Sequence, residues 1–197
     1  MTFQTTIWAT LAVVFVAIIA AMWFSAQGGL KVTEGVVNWR YNVTELPVAE
    51  LARLLEAAPD QLLLFDVRTP KEFAVSHLPG AQRLNPEMSA QKFLQQHADK
   101  ITGRQLVFYC SVGVRSASLA DRVAAKIASN ENVKIRNLRG GIFRWAAQAR
   151  PLVNAHSATN LVHPYNAVSA KLLPKQVSQS YVPAVGAAEE SSTGNES

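Results

Sequence analysis

The sequence predicts an α/β domain, an open and mostly parallel β-sheet with helices on both of its faces. Three observations carry this. The continuous apolar runs "QLLLFDV" and "RQLVFYC" read as strands buried on both faces. Stretches with apolar residues at helical spacing lie between and after them. The two kinds of segment alternate along the chain, the order that winds a parallel sheet.

The elements follow in order. Residues 27–42 read as a linker, with a first strand over Val36–Trp39. "LPVAELARLLEAA" places Leu46, Val48, Leu51, Leu54 and Leu55 on one helical face, with Thr44 as its cap. After the strand "QLLLFDV", Pro70 opens a short helix through Val75. "HLPGAQRLN" is a turn into a short strand, and Ser89 starts a helix over Ala90 to His97. "RQLVFYC" is the second buried strand, and "RSASLADRVAAKIAS" is an Ala-rich helix. "NVKIRNL" is a further strand, and "RGGIFRWAAQA" is a glycine turn into a last helix with Trp145 in the core. Residues 43–150 thus form one domain. From Pro151 the pattern fails, and four prolines punctuate a polar stretch that ends "AAEESSTGNES". Residues 151–197 read as a largely disordered tail, with "NAVSAKLLPKQV" as a candidate helical turn against a partner.

The first thirty residues carry no charged side chain. After a six-residue flank (1–6), "IWATLAVVFVAIIAAMWFSA" at 7–26 is long enough, at about 30 Å as a helix, to cross a bilayer. Trp8 and Trp23 sit near its ends, where interfacial indoles belong. The expectation is a single-pass protein of a bacterial inner membrane with the lipid bilayer as partner. Lys31 and Arg40 follow the span and no Lys or Arg precedes it, which places the domain in the cytoplasm. A cleaved signal peptide with its site at "AQG" is the alternative.

Net charge is +5, and residues 31–150 carry 17 basic against 11 acidic side chains. A small anionic substrate or an anionic surface accounts for this surplus, and no nucleic-acid-binding motif accompanies it. One cysteine excludes an internal disulfide and a multi-cysteine zinc site, and the four histidines show no metal-ligand spacing. Neither metal nor cofactor is expected.

That one cysteine, Cys110, ends a strand and is followed by Ser111, Val112, Gly113, Val114, Arg115 and Ser116 before a helix. In open parallel sheets, ligands bind at the carboxyl ends of strands. A loop of this length curls so that successive N–H groups point inward, a nest for anions on a helix N-terminus. Gly113 supplies the backbone freedom the curl needs. A cysteine sulfur over such a nest is placed to act as a nucleophile whose transferred group the same amides hold. The competing reading is a small buried hydrophobe.

Three segments, "LLFDVRTPKEFAVSHLPGAQRLNP", "FYCSVGVRSASLA" and "NLRGGIFRWAAQARPLV", resemble in order and spacing the signatures of single-domain rhodaneses, across about residues 43–153. The resemblance implies a rhodanese-like three-layer fold and a sulfurtransferase. Cys110 is then the nucleophile that carries a persulfide, taking a sulfane sulfur from a small anionic donor and passing it to a thiol or protein acceptor. The amides of Ser111 to Ser116 cradle the persulfide, and Arg115 binds the anion. Asp66 and Arg68 brace loops near the site, Glu72 pairs with a base, and His77 is a loop-bracing histidine. Arg139 and Arg144 are candidates for the pocket border. The interior of the loop is uncharged, so polysulfide or a protein persulfide stands beside thiosulfate as donor. With no second cysteine, the persulfide is discharged to an outside acceptor. Two other readings remain: a non-catalytic membrane-tethered binding module on the same fold, and a Cys-dependent phosphatase or arsenate reductase. Those enzymes have five residues between Cys and Arg, and this chain has four.

Overall fold

The computed structural model describes residues 8, 13, 14, 26–127 and 132–184. A helix, α1 (Ala26–Arg40), precedes β1 (Thr44–Leu46) and α2 (Val48–Ala57). Then come β2 (Leu62–Asp66), α3 (Pro70–Val75), β3 (Gln82–Arg83) and α4 (Ala90–Ile101). β4 (Gln105–Tyr109), α5 (Val114–Ala124), β5 (Lys134–Leu138) and α6 (Gly141–Ala147) complete the alternation.

The five strands form one sheet in the order β1-β5-β4-β2-β3, and every neighbouring pair is parallel. The period-two geometry of a strand divides the core in two. Leu62 and Leu64 of β2, with Val107 and Tyr109 of β4, face α2 and α6. Leu63 and Phe65, with Leu106 and Phe108, face α4 and α5. This is the three-layer α/β arrangement expected from the sequence. The α3 helix spans the expected residues, opened by Pro70 and a capping box between Thr69 and Glu72. The α4 helix starts after Ser89 as expected but runs one turn past His97.

The flanks differ from expectation. Residues 27–42 are not a linker, and Val36–Trp39 is not a strand. They belong to α1, whose Leu30 and Val37 are each 1 % exposed and whose Glu34 pairs with Arg144 of α6. Thr44 caps nothing; it begins β1, and Pro47 precedes α2. The described part of the tail is not disordered. It carries β6 (Leu152–Val153), β7 (Ala158–Thr159), β8 (Leu161–Val162), a short α7 (Ala167–Ala170) and β9 (Ser178–Gln179). Leu152, Val162, Leu173 and Val177 are buried in the same core as α2 and α6. The turn expected against a partner therefore packs against its own domain. Gly29 of α1 lets Leu172 lie so close that a Cβ there would overlap it.

The membrane expectation is also corrected. Among the described residues no helix is long and apolar enough to cross a membrane. The single-pass inner-membrane localisation, the bilayer partner and the cytoplasmic orientation expected from the sequence are therefore not supported. Most of the stretch 7–26 lies outside the described residues.

Candidate active site

Cys110 stands at the carboxyl end of β4, in the turn that enters α5, and is 1 % exposed. The turn is fixed from one side by α6. The Cys110 carbonyl accepts from the Ile142 amide at 2.9 Å, and the Ser111 carbonyl from the Phe143 amide at 3.1 Å. Those donors belong to the first turn of α6, which its own helix leaves without acceptors. Gly141 makes the approach possible: a Cβ there would overlap the carbonyl oxygens of Cys110 and Ser111. Because C=O and N–H are opposed across a trans peptide, carbonyls turned toward α6 turn the next amides, of Ser111 and Val112, away from it.

The other side of the turn is set at Gly113, whose φ of 97° lies in the left-handed region. Its amide donates to Cys110 Sγ at 3.2 Å. Its carbonyl accepts from Asn137 Nδ2 at 3.1 Å and from the Ala117 amide at 3.0 Å. Asn137 also donates to Glu45 Oε1 at 2.6 Å, and its Oδ1 lies 2.7 Å from Ser116 Oγ. The amides of Val114, Arg115 and Ser116 form the first turn of α5 and have no acceptor within the helix.

Glu72 ties the loop to α3. It is 1 % exposed and receives Arg115 through both carboxylate oxygens, at 3.0 and 2.7 Å. Ser111 Oγ donates to Glu72 Oε1 at 2.8 Å, and Arg115 Nη2 donates to Ser111 Oγ at 3.0 Å. Burial alone would raise the Glu72 carboxyl, but the Arg115 guanidinium, the Thr69 amide and Ser111 together hold it down to about 2. Burial likewise opposes the charge on Arg115, and Glu72 with Cys110 outweighs it, raising Arg115 above its ordinary value. Over the guanidinium lies the ring of Tyr165, 4.6 Å from Arg115 Cζ. A groove of about 630 Å³ opens beside Arg115, between Tyr41, Met88, Val114, Ser118 and Arg122.

A second carboxylate–arginine pair lies deeper. Arg68 Nε and Nη2 meet the Asp66 carboxylate at 2.9 and 2.7 Å, with both side chains 0 % exposed. Nη2 also donates to the Ser76 carbonyl at 2.5 Å. Tyr109, directly before Cys110, accepts the Leu78 amide on its hydroxyl at 3.1 Å. His77 stacks on Phe73 at 3.8 Å, places Nδ1 3.0 Å from the Phe73 carbonyl and pairs through its backbone with Val153.

Residues 47–148 match the rhodanese-like domain. The chain belongs to the rhodanese-like family. It is 32% identical over 111 residues to a sulfurtransferase of Allochromatium vinosum, covering 56% of this chain and 95% of that one. It is 36% identical over 93 residues to a probable adenylyltransferase/sulfurtransferase MoeZ of Mycobacterium tuberculosis, covering 46% of this chain but 22% of that longer protein. Among solved structures it resembles a rhodanese-related protein of Thermoplasma volcanium, with 18% identity, a TM-score of 0.44 and coverage of 56% of this chain and 97% of that one.

The rhodanese loop brings together Cys110, Ser111, Gly113, Arg115 and Ser116 as the sequence grouped them. Val112 packs half-buried against the α2 and α6 side of the core, and Val114 lines the groove. Arg115 differs from its expected role, because Glu72 and Ser111 engage its terminal nitrogens. Asp66 and Arg68 bond each other and the turn after α3, and His77 braces that turn against β6. Arg144 is engaged by Glu34 of α1. Asn137 and Tyr165 join the site although the motif around Cys110 does not include them. A polar residue inside the strand "NVKIRNL" marks Asn137, whereas Tyr165 sits in a stretch with no periodic signal.

Proposed function

We propose that this rhodanese is a sulfurtransferase in which Cys110 carries the transferred sulfur. Cys110, reacting as its thiolate, attacks the outer sulfur of a sulfane donor. An S–S bond forms on Cys110 as the donor's own S–S bond breaks, and the electron pair leaves with the remainder: sulfite from thiosulfate, a thiolate from a persulfide, a shortened chain from polysulfide. The resulting Cys110 persulfide is anionic at its terminal sulfur. An acceptor thiolate or cyanide takes that sulfur and returns the Cys110 thiolate.

The observation that carries this reading is the Gly113 amide donating to Cys110 Sγ at 3.2 Å in a loop where the Cys110, Ser111 and Gly113 carbonyls are bound elsewhere. Such a cradle stabilises negative charge on sulfur before and after transfer. Ser111, Val112, Gly113, Val114, Arg115 and Ser116 supply the cradle, with Glu72 fixing Ser111 and Arg115. Asp66, Arg68 and His77 hold the surrounding turns. The test is thiocyanate formation from cyanide with thiosulfate, polysulfide or glutathione persulfide as donor. Thiocyanate from at least one donor, lost in Cys110→Ala, is expected. A Cys110→Ala variant as active as the parent overturns the assignment.

A further inference from the structure

Beyond the domain matched by the family, the segment after β6 folds back onto the site. β8 packs against α3 and α6, the two helices that hold the loop. His163 is 7 % exposed, and burial first, then the charges of Arg68, Arg115 and Lys71, lower its proton affinity against the pull of Glu72. Tyr165 follows with φ 68°, a left-handed conformation that costs a tyrosine energy and persists only where its surroundings enforce it. Here they do. Its amide donates to His163 Nδ1 at 3.0 Å, the Asn166 amide reaches over it to the Pro164 carbonyl at 2.8 Å, and Asn166 caps α7 through the Ser169 amide. The turn thus aims the aromatic ring at Arg115, while the residue stays 47 % exposed.

We propose that Tyr165 is a specificity-determining residue of the sulfur-transfer site: its ring covers the guanidinium of Arg115 and excludes compact anions from the approach to Cys110. The edge of that guanidinium is already engaged by Glu72 and Ser111. Its covered face meets the electron-rich face of a phenol, which attracts the cation and repels an incoming anion. An entrance of this kind discriminates against the compact, doubly charged thiosulfate relative to a slim persulfide chain with a single charge on its reacting end. This deepens the proposed function and rests on it for the identity of the donor.

The test avoids sulfur transfer. The rates at which iodoacetate (anionic) and iodoacetamide (neutral) alkylate Cys110 are measured in the full chain, in Tyr165→Ala and in Tyr165→Phe. The iodoacetate-to-iodoacetamide ratio should rise about 2- to 5-fold in Tyr165→Ala, the scale of an exposed cation–π contact. Tyr165→Phe keeps the ring and should keep the low ratio. A loosened loop would change both rates together and leave the ratio fixed. A ratio unchanged or lowered in Tyr165→Ala overturns the proposal. Absence of thiocyanate formation with the ratio shifted as expected would instead remove the sulfurtransferase reading and leave the gate.

Discussion

Two carboxylate–arginine pairs, Asp66–Arg68 and Glu72–Arg115, lie six residues apart in their acids and do different work. The first joins residues two apart in sequence and is sealed from water on both sides. The second spans 43 residues, with Glu72 buried and the Arg115 side chain 25 % exposed. Beyond Asp66, the Arg68 guanidinium donates to a backbone carbonyl, that of Ser76. Glu72–Arg115 holds Ser111, the residue after the nucleophile, as well as Thr69 at the start of α3. Burial makes a pair costly to break. What else the pair holds decides whether breaking it is felt in the fold or in the site.

The largest expected effect is in the sealed pair. Arg68→Ala leaves a buried carboxylate without its counter-ion and should destabilise the protein by about 3–5 kcal/mol, read from urea unfolding. The rate per folded molecule should change less than in any Glu72 variant. The comparison breaks if the reverse is found.

Glu72→Gln keeps the shape and removes the charge. Losing charge-assisted bonds should cost about 1.5–3 kcal/mol at neutral pH, with a clear fall in sulfur-transfer rate. The pH dependence sharpens this. Glu72 is held at about 2 against an ordinary 4.5, so the unfolded chain binds its proton first. The stability it provides is complete above pH 4.5 and is lost as pH falls toward 2. Unfolding curves across that window should be flatter for Glu72→Gln than for the parent, and parallel curves would contradict the assignment.

Asn137→Ala should have the smallest effect, about 1–2 kcal/mol from unmade buried hydrogen bonds at Glu45 and Gly113. Its activity loss should exceed that of a surface substitution of equal stability cost, because the Gly113 carbonyl loses a partner. Melting temperature and thiocyanate rate measured together decide this.

The centre of this fold was legible because its physics is local. Apolar runs such as "QLLLFDV" have one low-energy use, and a cysteine between a strand and Gly113 needs no distant partner to be noticed. The flanks were illegible for the opposite reason. The helix α1 contains Gly28, Gly29 and Gly35 with paired valines at 36–37, a poor helical sequence by propensity. It is held by burial of Leu30 and Val37 and by the Glu34–Arg144 pair, 110 residues away. The segment from Pro151 onward has four prolines and short strands of two residues each, below any periodic signal, yet Leu173 and Val177 complete a core begun at Leu30. Within the site, the sequence showed that Glu72 would find a base but not which one. It showed Arg115 as a cation but not that Glu72 and Tyr165 already occupy it.

The central claim is that Cys110 is a sulfur carrier. The direct measurement is the intact mass of the full chain after incubation with each donor and removal of excess, followed by peptide mapping. The account predicts a gain of one sulfur on the peptide that contains Cys110, absent in Cys110→Ala and reversed by cyanide. No gain from thiosulfate, polysulfide or glutathione persulfide, in protein whose Cys110 still reacts with iodoacetamide, would contradict it.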